Sequence, residues 1–451
     1  MLVLFAAGVA AQAQSYETRF ERPLSDVVRD IQRRFRVKMK FDGIDTAGLR
    51  LPYADFRLRP YSLDETLTNI CSAYDWKWFP HPINAPQPYK TVRIKPHDYP
   101  RRRVEEGRQM LTYLASLYTN REQWEQRRTV LRKEVRQRLG IDAFLDSCKQ
   151  QPKVILSKTR KYDGYSMQNI CIELMDGLHV FGTIYAPVPT ASKGRGASRT
   201  AASPPRRKSE KAFPLLICPD GHWQPGRYRE AEQLRLATLA RMGAVCVDFD
   251  LYGWGESAHE VERHETARAH VYQAACSMKL LDWMLTHYNG IDPQRVGVCG
   301  GSGGGTHTVL LTLLDERVTA SAPVVHVASH FDGGCPCESG MPTQLAGGGT
   351  CEPELAAIAA PRPLLLVSDG GDWTCTTPDV ELPFIRRIYS FYGEENAVRN
   401  IHLPDERHDF EANKRTAVYD FFADVFGLDR SRADESKVTI EPAERMKSLY
   451  K

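Results

Sequence analysis

The segment RVGVCGGSGGGTHTVLL carries the residues best suited to chemistry. Gly300, Gly301, Ser302, Gly303 and Gly304 form G-x-S-x-G between an apolar, strand-like run and a helix-like one. Such a serine sits on a strained strand-to-helix turn, and flanking glycines remove the Cβ atoms that would block so close an approach. It serves as a nucleophile when an acid and then a histidine follow it in the chain, and here both do. The run PLLLVSDGGDWTCTTPD ends a strand with two carboxylates, Asp369 and Asp372. Asp372 lies further into the loop and is the better placed to turn back toward a histidine. In NIHLPDERHDF, His408 falls in a loop before the last helix, where the base belongs, while His402 lies inside the strand and reads as structural. A phosphate-binding glycine turn would need G-x-G-x-x-G after a first strand or a Lys-Ser/Thr pair, and neither is present.

The oxyanion formed by attack on an acyl carbonyl needs two main-chain donors. One is expected from Gly303, next to the nucleophile, and the other from the turn Gly221-His222-Trp223 in CPDGHWQPGRYRE. His222 as a metal ligand finds no matching carboxylate spacing. His259 and His264 in AHEVERHETARAH are five apart, unlike H-E-x-x-H, and that stretch reads as a solvated helix. No C-x-x-C pair exists, so neither a metal nor any other cofactor is expected. In FDGGCPCESGMP, Glu338 is an alternative acid or a contact to substrate, as is Asp369. Cys335 and Cys337 are too close for an unstrained mutual disulfide, which leaves pairing with Cys351 or Cys375. Trp223, Tyr252, Trp254 and Trp373 lie in the same loops, where flat rings suit sugars or simply pack a lid.

The elements that must position these groups are legible from periodicity. FPLLICPD, AVCVDFD, RVGVCG, APVVHVAS and PLLLVSD alternate with helical stretches, the pattern of a mostly parallel sheet covered on both faces. YSMQNICIEL and LHVFGTIYAPV flank Asp176-Gly177 as a hairpin. The catalytic domain is expected over 151–430, with a flexible basic insertion at 189–211 and a polar tail at 431–451. Residues 98–150 read as a helical clasp, with Leu131, Val135 and Leu139 at four-residue steps and Gly140 as its stop. Residues 16–97 form a small α+β domain. There Leu24, Val27, Val28, Ile31 and Phe35 mark one helix face, and Ser62 with Glu65 opens a second helix.

The chain has 451 residues, 42% of them hydrophobic, enough for a sizeable core and too many for a disordered or fibrous chain. Sixty lysines and arginines against 56 acidic residues leave +4, too even a balance for nucleic acid or an anionic membrane as the main partner. No apolar run spans a bilayer. MLVLFAAGVAAQAQS resembles a signal-peptide remnant ending near residue 13, which implies export. Eleven cysteines, an odd number, leave at least one thiol free or paired with another molecule.

Residues 151–430 resemble the α/β-hydrolase superfamily. VGVCGGSGGGTHT, CPDGHW, FDLYGWGES, FDGGCPCESGMP and LLLVSDGGDWT are similar to bacterial acetylxylan-esterase-like carbohydrate esterases. The resemblance implies a serine esterase removing acetyl groups from a polysaccharide or oligosaccharide such as xylan. Glucuronoyl esterases are a close competitor, but they follow the nucleophile with arginine, where this chain has Gly303. A serine peptidase shares the triad and is the further alternative. Residues 16–97, with PLSDVVRDI and YSLDETLTNI, resemble the short N-terminal domain of secretins and TonB-dependent receptors. That implies docking to an envelope protein, in the periplasm or at the outer membrane of a Gram-negative bacterium, and a non-enzymatic binding protein as the reading of a different class.

Overall fold

The computed structural model describes residues 20–74, 76–96, 101–188, 212–261, 263–331, 333–339 and 343–450. The expected signal remnant and the 189–211 insertion lie outside them. Two compact units divide the chain, Met1–Val104 and Glu105–Lys451.

In the first unit β1 (Arg22–Pro23) leads into α1 (Leu24–Phe35), which buries Leu24, Val27 and Ile31, the face their spacing predicts. β2 (Lys38–Phe41), β3 (Arg50–Leu51) and the short α2 (Ala54–Arg57) follow. α3 (Leu63–Cys71) begins at Ser62, whose Oγ accepts the Glu65 N–H at 3.2 Å. β4 (Trp76–Pro80) and β5 (Thr91–Pro96) complete a three-stranded sheet in the order β2-β5-β4. Its core is Leu51, Leu67, Ile70, Trp78, Val92 and Ile94.

α4 (Val104–Ser116), α5 (Arg121–Leu139) and α6 (Ile141–Ser147) precede the large sheet. Asn120 caps α5, its Oδ1 accepting the Gln123 N–H at 3.0 Å, and Gly140 stops it at φ 69°. α5 buries Trp124, Leu131, Val135 and Leu139, and Arg127 reaches Glu354 at 2.8 Å.

Ten strands form the central sheet: β6 (Val154–Leu156), β7 (Arg160–Lys161), β8 (Tyr165–Met175), β9 (Leu178–Pro187), β10 (Phe213–Pro219), β11 (Val245–Phe249), β12 (Ile291–Gly301), β13 (Ala320–Val324), β14 (Leu364–Asp369) and β15 (Val398–Leu403). The order is β15-β14-β13-β12-β10-β11-β9-β8-β6, with β7 on β8. β11, β10 and β12 to β15 are parallel, and β6 to β9 add antiparallel at one edge. The parallel strands read as unbroken apolar runs because both faces are covered. Leu215, Ile217, Val296 and Val298 point into the layer under α8 (Ala267–His287). Leu216, Cys218, Cys246 and Cys299 face α7 (Glu230–Met242) and α12 (Ala412–Phe426). Buried cysteine acts there as a small apolar residue. This is the α/β-hydrolase fold.

The polar segment after residue 430 is packed rather than a loose tail. Arg227, fully buried, bonds Asp250 at 2.7 Å, Glu256 at 3.0 Å and the Met446 carbonyl at 3.0 Å, while Glu256 accepts the amides of Ser448, Leu449 and Tyr450. Hydropathy does not reveal such a segment, because buried charges rather than apolar side chains hold it.

Candidate active site

β12 ends at Gly301, and the helix α9 (Gly303–Leu314) begins two residues later. Ser302, between them, is held at φ 53° and ψ −121°, a strained left-handed region for a non-glycine residue. Its N–H donates to the Val324 carbonyl at 3.0 Å, and the strain projects its Oγ from the carboxyl ends of the parallel strands.

His408 arrives on the loop after β15 and Asp372 on the loop after β14. His408 Nε2 lies 2.9 Å from Ser302 Oγ, and its Nδ1 lies 2.6 Å from Asp372 Oδ2. The other Asp372 oxygen accepts the amide and hydroxyl of Thr374, both at 2.6 Å, which fixes the carboxylate facing the ring. With Nδ1–H held by the carboxylate, Nε2 is left as the acceptor for the serine proton. The structure thus brings together Ser302, His408 and Asp372.

Asp369 and Glu338 are elsewhere. Asp369 ends β14 fully buried, accepting the Gly371 N–H at 3.0 Å and facing Lys414 at 3.2 Å. Burial, reinforced by the charge of Asp372, raises its carboxyl to about 6 against the pull of Lys414. Glu338 Oε2 is 3.3 Å from His222 Nδ1, and its Oε1 accepts the Gly334 N–H at 3.0 Å. Burial opposes ionisation of Glu338, but His222 and that amide hold it down at about 2. His222 is lifted to about 10 against its own burial by Cys335 and Glu338.

Gly303 opens α9, so its amide has no intrahelical partner. A Cβ on Gly303 would stand 2.6 Å from Glu338 Oε2 and 2.8 Å from His222 Cε1. This close packing is why a larger residue after the nucleophile does not suit this site. In the turn after β10, the Gly221 N–H goes to Asp220 Oδ1 at 2.8 Å and the Trp223 N–H to Gly221 O at 2.9 Å. Of the expected turn, the Gly221 and Trp223 amides are thus already engaged within the loop.

The aromatic residues ring the same end. Trp373 lies tilted 4.3 Å from the His408 ring and 4.2 Å from Phe331, and Trp223 lies 5.4 Å from His408 with the Arg229 guanidinium over its ring. Trp254 packs edge-on to His222 at 5.7 Å. Phe331 has no sequence signature, since only the fold brings it to Trp373.

The expectation of a solvated helix around His264 fails. His264 is buried in a loop before α8, and its Nε2 lies 2.8 Å from His222 Nε2. Cys337 Sγ lies 3.1 Å from His222 Nε2 and 3.2 Å from His264 Nε2. All eleven cysteines are free thiols, so neither Cys335 nor Cys337 is joined to the candidate partners Cys351 and Cys375. Cys335 is held down at about 3 by hydrogen bonds from Cys337, His222 and His264. No helix among the described residues is long and apolar enough to cross a membrane.

No family model and no curated protein matches the chain. Among solved structures it is similar to methylesterase BT1017, at 53% identity over 96% of this chain and 91% of that one, with a TM-score of 0.87. It also matches a glucuronoyl esterase from Solibacter usitatus at 12% identity, over 70% of this chain and 94% of that one, TM-score 0.46. An acetyl xylan esterase from Paenibacillus sp. R4 follows at 16% identity, over 63% and 92%, TM-score 0.41.

Proposed function

The chain belongs to the same family of carboxylic ester hydrolases as methylesterase BT1017, and we propose that it cleaves a methyl ester of a carbohydrate carboxylate with Ser302 as nucleophile. The observation that carries the reading is the relay in which His408 bridges Ser302 Oγ at 2.9 Å and Asp372 at 2.6 Å. The 53% identity to a methylesterase supports a methyl ester over the acetyl ester implied by the sequence motifs. The rings of Trp373, Phe331, Trp223 and Trp254 support a sugar beside it.

In this mechanism His408 Nε2 takes the Ser302 proton as Oγ attacks the ester carbonyl. Asp372 holds the ring and offsets the charge of the imidazolium. The Gly303 and His222 amides receive the oxyanion. His408 then gives the proton to the methoxy oxygen, and methanol leaves. The sugar carboxyl remains as an ester on Ser302 until water, activated by the same histidine, releases it. An acetyl ester would divide the other way, with acetyl on Ser302 and the sugar hydroxyl leaving.

The export implied by the N-terminal residues, and the envelope docking implied for residues 16–97, remain parts of the proposal that the catalytic geometry does not address. The test of the reaction is to measure methanol and acetate in the same digests of methyl-esterified pectin and acetylated xylan. Methanol release from pectin is expected. Acetate release without methanol would restore the acetyl ester and sink the methyl-ester reading.

A further inference from the structure

We propose that His222, His264, Cys335 and Cys337 bind one divalent d-block cation, zinc by preference, in a closed tetrahedral site beside the candidate oxyanion pocket. One donor atom from each residue lies within 4.8 Å of the other three. The ligands come from the loops after β10, β11 and β13, so the cluster exists only in the folded sheet.

The hydrogen-bond partners of the two rings set which nitrogens face inward. His264 Nδ1 lies 2.5 Å from the Tyr252 carbonyl, which only accepts, so that nitrogen carries the ring proton. His222 Nδ1 lies 3.3 Å from Glu338 Oε2, which leaves Nε2 as the nitrogen turned into the cluster. Both Nε2 atoms therefore face each other across 2.8 Å, with the Cys337 sulfur 3.1 and 3.2 Å away. Two neutral rings in this position would set lone pair against lone pair, so a cation is called for among them. A proton would satisfy one pair of donors, whereas a metal ion satisfies all four. Zinc bonds of about 2.0–2.1 Å to nitrogen and 2.3 Å to sulfur imply separations of roughly 3.3 Å between nitrogens and 3.5 Å between nitrogen and sulfur. For His222, His264 and Cys337 those values are reached by moving apart roughly half an ångström or less, and the Cys335 sulfur, within 4.8 Å of the other three donors, closes the fourth position by moving inward.

The outer contacts match what metal-bound imidazoles use. A carbonyl orients one ring and a carboxylate the other, and Glu338 is itself fixed by the Gly334 N–H at 3.0 Å. Two imidazoles and two thiolates form a soft set suited to zinc, and four protein ligands leave no open coordination position. The ion is thus structural. It ties three loops together at the point where His222 and Glu338 pack against Gly303. On binding, two metal–sulfur bonds form and any thiol protons go to solvent, with no change of oxidation state. The expectation of no metal rested on the missing C-x-x-C pair. Here Cys-Pro-Cys is completed instead by histidines from two other loops.

The test uses the full chain, purified under reducing conditions, with its metal content measured by mass spectrometry. It is then stripped with a chelator and titrated with zinc and with cobalt(II). One equivalent of either ion is expected, cobalt giving thiolate charge-transfer and tetrahedral ligand-field absorption. Cys337→Ser and His264→Ala should weaken zinc binding at least 10- to 100-fold, and Glu338→Gln should weaken it by up to about that range. Cys148→Ser, outside the cluster, should leave binding unchanged. Should a ligand variant fail to fold, wild type alone decides: zinc should slow alkylation of Cys335 and Cys337 relative to the other cysteines. Reduced wild type that takes up no stoichiometric metal, equal alkylation with and without zinc, or a Cys335–Cys337 disulfide in the isolated protein would each overturn the proposal.

Discussion

Asp372, and not the strand-ending Asp369, places a carboxylate oxygen 2.6 Å from Nδ1 of His408. The two acids are three residues apart yet have opposite surroundings. Asp372 faces the imidazole and is held by Thr374, while Asp369 is turned inward to Lys414. Asp372→Asn should therefore lower kcat by about 10⁴-fold by leaving His408 in the wrong tautomer. Asp369→Asn should leave kcat within about tenfold, because it touches neither His408 nor Ser302. Steady-state kinetics on one methyl ester distinguish the two, and equal losses would reassign the acid.

The same pair yields a pH prediction. The Asp369 carboxyl, raised to about 6 by burial and by the Asp372 charge, titrates above its unfolded value of roughly 3.9. Between those two values the native state holds a proton that the unfolded chain has released. This group therefore favours the fold at low pH and lowers stability as pH rises through the window, with the full cost reached above about 6. Asp369→Asn does not titrate. The Tm of the variant minus that of wild type should climb from about pH 4 to about pH 6 and then level off. A difference that stays flat across the window would contradict the assignment.

Gly303 is enclosed by Glu338 and His222, and a Cβ there would meet both at under 3 Å. Gly303→Ala should displace the His222 side of the oxyanion pocket and cost about 10²- to 10³-fold in kcat, the scale of losing one oxyanion donor. Circular dichroism should show the fold retained. Full activity in this variant would remove Gly303 and His222 from the pocket.

Trp373 lies between the His408 ring and Phe331. Trp373→Ala removes contacts of about 0.5–1.5 kcal/mol, so kcat/KM on an oligosaccharide ester should fall roughly 2- to 10-fold. A small chromogenic ester, which needs no ring platform, should fall less. Equal losses on both substrates would mean that Trp373 serves only to pack His408.

Much of this was readable before any coordinates, and the reason is that it is local. Ser302 is marked by five consecutive residues, Asp372 and His408 by their places after strands, and α5 by a four-residue ladder ending at Gly140. What escaped is non-local. His264 looked solvated because its own segment is charged, yet the fold buries it against His222 and Cys337, residues 42 and 73 positions away. The segment after residue 430 read only as a polar tail because its anchors, Arg227 and Glu256, are charged residues about 200 positions earlier. The Trp223 amide looked available until the turn closed on Gly221.

The most direct test of the central claim is methanol release from a methyl-esterified uronic-acid oligomer by wild type and Ser302→Ala, compared at equal protein concentration. The account predicts turnover by wild type and a loss of about 10⁴- to 10⁶-fold in the variant, with unchanged thermal unfolding. A variant that releases methanol at the wild-type rate would contradict it, since the account makes Ser302, which His408 contacts at 2.9 Å, the nucleophile.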